Sequence, residues 1–109
     1  MNDEYEEEMK METVKLVPIE ANGVTAEGVS VNIPGTELEI LQVRCAHGML
    51  FCGIFDKTVL EKLNFPAAVF SAPHFSDMLE RKPVFLTTAA KALGANEDMT
   101  GAELIACFS

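Results

Sequence analysis

The chain has 109 residues, 49% apolar and 23% charged, which is the length of one domain and the balance of a soluble globular protein. Its formal net charge of −9 is uneven: six carboxylates against Lys10 give residues 1–12 a charge of −5, leaving −4 for the rest. A basic stripe for a phosphate backbone, a run of ~20 apolar residues for a membrane and a basic-then-apolar leader are all missing, so nucleic-acid binding, membrane insertion and secretion are not expected.

Residues 1–12 read as a disordered acidic tail, because so little apolar surface cannot offset the entropy lost on ordering. Residues 13–109 read as a single α+β domain. Thr13 to Glu20 is rich in β-branched residues and runs into Ala21-Asn22-Gly23, a hairpin signal, with Val24 to Ile33 as the return strand. The apolar phase of that strand changes near Gly28, which predicts a one-residue bulge. After the turn Pro34-Gly35-Thr36, Glu37 to Cys45 reads as a third strand. Its own phase change predicts either a second bulge or two partly covered faces. Ala46-His47-Gly48 turns the chain into Met49–Phe55, seven residues without a charge, which read as a central strand buried on both faces. The first half is thus a four-stranded antiparallel meander.

Asp56 reads as the N-cap of a short helix from Lys57 to Leu63, stopped at Asn64. Ala67 to Ala72 is a fifth strand. Strand, helix and strand make one βαβ unit, which predicts that strands four and five run parallel. Two or three short C-terminal helices follow. One begins at Ser76 and ends near Arg81, a second spans Leu86 to Leu93 before Gly94, and Thr100 with Glu103 forms a capping box for the last, through Phe108.

Three cysteines, Cys45, Cys52 and Cys107, make no disulfide framework and read as reduced thiols in a cytoplasm. Cys52 is a candidate nucleophile, a role that needs a cation, a helix N-terminus or a histidine to stabilise its thiolate. His47 is near in sequence, but strand alternation puts it on the opposite face, so a small buried hydrophobe is the plainer reading. Cys45 and His47 share a face, yet two ligands fall short of the four a structural zinc takes, and neither a metal nor another cofactor is expected. His74 is a second catalytic candidate. Ligands favour the carboxyl ends of parallel strands in open sheets. Asp56, His74 and Ser76 are predicted to gather there as a polar cluster for an anion or small molecule, with capping as the plainer role for Asp56 and Ser76.

The run Ile33-Pro34-Gly35-Thr36, the segment from His47 to Gly53, Asp77-Met78-Leu79, the segment from Ala89 to Gly94, and Met99-Thr100-Gly101-Ala102-Glu103-Leu104 occur in an order that resembles the YunC-like domain of unknown function of bacteria and archaea. The resemblance covers roughly residues 14–106. It implies an α+β fold whose N-terminal β region mediates tetramer formation, and it supplies no activity. The expected function is therefore a self-associating, non-catalytic domain, a homotetramer or else a dimer. The alternative is a small cytoplasmic enzyme or small-molecule or anion binder using Cys52 or the Asp56, His74 and Ser76 cluster.

Overall fold

The computed structural model describes residues 13–109, so the expected acidic tail over 1–12 lies outside the described residues. Six strands form one mixed sheet in sequence order: β1 (Val14–Ala21), β2 (Val24–Asn32), β3 (Glu39–Arg44), β4 (Met49–Cys52), β5 (Ala67–Phe70) and β6 (Phe85–Leu86). All neighbours are antiparallel except β4 and β5, which run parallel across the helix α1 (Lys57–Lys62). Three further short helices follow: α2 (Phe75–Glu80), α3 (Thr88–Ala92) and α4 (Gly101–Cys107).

Local chemistry sets several of these boundaries. Asn22 and Gly23 both take positive φ, 51° and 79°, as a two-residue reversal matched to strand twist requires. The Asp56 carboxylate accepts from the backbone N–H groups of Thr58 and Val59 and starts α1. Thr100 and Glu103 form the reciprocal capping box that opens α4.

The expected bulge at Gly28 does not form. The β1–β2 pairing is continuous from Val14 opposite Val31 to Ala21 opposite Val24, and the β2–β3 pairing from Glu27 opposite Arg44 to Asn32 opposite Glu39. The phase change arises because both faces carry apolar residues. Ala26, Gly28, Ser30, Leu41 and Val43 are buried on the inner face, whereas Val29, Val31 and Ile40 alternate onto the outer one. Gly28 is required by close packing: a Cβ there would lie 2.8 Å from the Val17 carbonyl oxygen and 3.0 Å from Ile19 Cγ1.

Two further boundaries differ from expectation. The central strand stops at Cys52, because the chain turns there and the Phe55 N–H bonds back to the Cys52 carbonyl, leaving Gly53 and Ile54 exposed. Phe85 and Leu86 form a short sixth strand on β5, so the helix expected from Leu86 does not start there. The helix α3 begins after Thr87, whose hydroxyl caps it by accepting from the Ala90 N–H.

The core has two sides. On the inner face Leu50, Cys52, Ala68 and Phe70 pack with Met78 of α2, Ala90 of α3, and Leu104, Ile105 and Phe108 in and after α4. On the outer face Phe51, Ala67 and Val69 pack under Leu60 of α1, with Phe65 and Phe85 at the margin. Among the described residues that outer cover stops at β4. β1 is an edge strand, and the alternation of bonded pairs turns the backbone of its even-numbered residues toward the open edge. Pro18 is one of them, so its missing N–H interrupts the free edge and breaks no bond of the ladder.

Candidate functional site

One end of the sheet gathers the N-termini of β1 and β3 and the C-termini of β2, β4 and β5. The inner face at that end is not crossed by α4, whose anchor is at the other end, where the Asn22 side-chain amide donates to the Ala102 carbonyl at 3.0 Å. The result is a cleft of about 260 Å³. Its floor is Val17 and Leu41, one wall is Phe75, and its polar lining is Lys15, Ser30, Glu39, His74 and Ser76.

The polar groups are placed by strand alternation and by the start of α2. Lys15 and Ser30 face each other across β1 and β2, and Glu39 lies diagonally from Ser30 on β3. Ser30, only 2% exposed, donates its hydroxyl proton to Glu39 Oε1. Lys15 Nζ lies 3.8 Å from the same carboxylate oxygen, an ion pair outside hydrogen-bond range. Glu39 is 26% exposed, so its charge is partly screened from water. Across the cleft, His74 Nδ1 and Asp77 Oδ2 are 3.2 Å apart, and Arg81 holds Asp77 Oδ1 at 3.7 Å while donating to the Ser71 carbonyl at 2.5 Å. This chain of contacts engages His74 through Nδ1.

Of the three residues read from the sequence as a polar cluster, His74 and Ser76 line this cleft. Asp56 is separated from them by the sheet: it caps α1, which packs on the outer face, whereas α2 packs on the inner one. Cys52 lies in the inner core, 7% exposed, and its sulfur accepts the Leu41 N–H at 3.3 Å. His47 sits at the opposite end of β4, exposed, with its backbone N–H on the Phe108 carbonyl at 2.7 Å. The three cysteines are unpaired, and no group of three metal-ligating side chains gathers among the described residues. Burial pushes the Cys45 thiol up to about 11, against an ordinary 9.0. Among the described residues every buried side-chain nitrogen and oxygen has a hydrogen-bond partner.

Lys15, Ser30 and Glu39 escaped sequence reasoning because β1, β2 and β3 bring them together only by pairing. A signal existed: each occupies an inward parity position of its strand, where a charged or hydroxyl side chain is out of place.

The outer face of β1–β3 presents a second candidate surface. Val14 lies opposite Val31, Val31 opposite Ile40, and Leu16 opposite Val29, with Leu16 77% exposed and Val14 43%. No helix of the described residues is long and apolar enough to cross a membrane.

The fold is similar to a crystal structure of a protein of unknown function, TA1206 from Thermoplasma acidophilum. The TM-score is 0.78 at 18% identity, over 89% of this chain and 94% of that one. No curated protein sequence matches the chain. A family model, the domain of unknown function DUF1805, matches residues 51–107, from the end of β4 through α4. The match takes in His74, Phe75 and Ser76 but stops short of β1–β3, which supply the other half of the cleft. Spanning just over half of the chain, it makes this protein a member of the DUF1805 family.

Proposed function

We propose that residues 13–109 form a single YunC-like domain that self-associates through its N-terminal β region and is not itself an enzyme. One observation carries this reading: the outer face of β1–β3 holds a contiguous group, Val14, Leu16, Val29, Val31 and Ile40, and no helix of residues 14–109 packs above it. The equivalent face of β4 and β5 is covered by α1. The radius of gyration, 14.7 Å, exceeds the ~13 Å of a compact domain of about 100 residues, as an arm of sheet that the described residues leave uncovered on one side would give.

A second copy is the occupant that fits. An apolar face repeated on every chain is self-complementary about a two-fold axis, and a symmetric assembly closes without leaving the patch exposed. Pro18 disfavours continuous pairing along the β1 edge, so packing is face to face. Burying the exposed part of Leu16 alone contributes roughly 1–2 kcal/mol per chain. A homotetramer is expected, and a dimer if only one such contact forms. Three unpaired thiols suit a reducing cytoplasm.

The test is light scattering coupled to size exclusion at micromolar concentration. The chain should elute with the mass of four copies or of two, and Leu16→Glu should elute as one. Among the described residues Leu16 belongs to neither core cluster, so the variant should keep the wild-type circular dichroism and melt lower only by what assembly contributes, a gap that closes as the wild type is diluted. A monomeric wild type, or a Leu16→Glu variant that assembles unchanged, overturns the proposal.

A further inference from the structure

We propose that the cleft between the inner face of β1–β3 and the start of α2 binds a free α-amino acid, a ligand carrying both signs of charge. This goes beyond self-association and uses the opposite face of the sheet. The cleft lies at the carboxyl end of β5, the edge where open sheets containing parallel strands take ligands. At about 260 Å³ it has room for a ligand the size of an amino acid.

Charge selects the class. Lys15 and Glu39 are the two charged side chains of the lining, and they are 3.8 Å apart, too far to saturate one another. Glu39 Oε1 is held by Ser30, while Oε2 has no partner among the described residues. Lys15 has three donors and, among the described residues, only that long contact. Ser76 Oγ likewise has no hydrogen-bond partner among the described residues, and His74 is held through Nδ1, which leaves Nε2 available. A simple anion would meet Glu39 and a simple cation would meet Lys15. A zwitterion satisfies both, its carboxylate on Lys15 and Ser76 and its ammonium on Glu39. Val17, Leu41 and Phe75 then receive an apolar side chain.

Ser30 is the feature that a purely structural sheet would lack. The other fully buried residues of β2 and β3 are Ala26, Gly28, Leu41 and Val43, and Ser30 holds Glu39 in place. A side chain so oriented does not have to be ordered again when the ligand arrives.

The experiment is nuclear magnetic resonance titration of the full chain with the L-amino acids at millimolar concentration. Amide shifts are expected at Lys15, Ser30, Glu39, Phe75 and Ser76 with apolar amino acids. N-acetylated or methyl-esterified forms of the same amino acids, each lacking one charge, should bind roughly tenfold or more weakly, as for loss of one charge-assisted hydrogen bond. Lys15→Gln and Glu39→Gln should each weaken binding to the same extent. The ligand derivatives test the point on the wild-type protein even where a variant folds poorly. Inorganic phosphate or butylamine binding as well as the amino acids do would overturn the inference, and so would a titration in which no amino acid moves the cleft amides.

Discussion

Replacing Gly101 by alanine tests the packing that sets the position of α2 and with it half of the cleft. A Cβ at Gly101 would lie 2.0 Å from the Met78 carbonyl oxygen, 2.8 Å from the Met78 carbonyl carbon and 3.1 Å from Leu79 Cα. All three are backbone atoms, so no side-chain rotation relieves the overlap. The first distance is more than an ångström short of ordinary contact, and α2 and α4 must separate. That movement strains the Gly101 N–H bond to the Arg81 carbonyl, 3.0 Å, and loosens Met78 against Leu104 and Ile105. Overpacking of this kind costs about 1–3 kcal/mol or more. The opposing gain in helix propensity is at most ~1 kcal/mol and smaller in the first turn, where Gly101 sits. The expected net loss is about 2 kcal/mol, read as a lower urea midpoint with an unchanged slope and a Tm fall of about 10 °C. Gly53→Ala is the matched control. Its Cβ would meet only the Phe70 carbonyl oxygen, at 3.5 Å, and stability should stay within about 0.5 kcal/mol of wild type. A Gly101→Ala protein as stable as wild type, or more so, refutes the reasoning.

Thr87 is fully buried, and its hydroxyl donates to the Phe65 carbonyl at 2.9 Å while accepting from the Ala67 and Ala90 N–H groups at 3.0 and 3.2 Å. Thr87→Val keeps the shape but strands the Ala67 N–H, so urea melts should show a loss of about 1–3 kcal/mol, largely restored in Thr87→Ser. The raised Cys45 pKa gives a pH dependence of definite sign. The unfolded chain releases this proton near 9.0 and the folded chain near 11, so the stability that the folded thiol contributes is complete below pH 9 and declines between the two. Melts from pH 8 upward should show that decline in wild type and a shallower one in Cys45→Ala. Mass spectrometry after brief iodoacetamide treatment near pH 8 should find Cys45 and the buried Cys52 unmodified in the folded protein, because alkylation needs an accessible thiolate.

Local elements were legible in the sequence alone. The Asn22-Gly23 reversal, the Asp56 cap of α1, the Thr100 and Glu103 capping box and the uncharged run through β4 each depend on dihedral preference, a side chain reaching backbone three residues away, or simple burial. These interactions are encoded within a few positions and need no partner from elsewhere. Pairing between distant segments decided the rest. The apolar residues of β2 and β3 looked like shifted phases until the register showed that both faces are apolar and that helices of the described residues cover only one. Phe85 and Leu86 are a strand only because the edge of β5 is open to them. Asp56 and His74 follow neighbouring parallel strands, yet the sheet divides them because α1 and α2 pack on opposite faces. Lys15, Ser30 and Glu39 meet His74 and Ser76 for the same kind of reason. Strand order, register and the choice of face come from the free energy of burying the whole sheet, and no short window of sequence contains that sum.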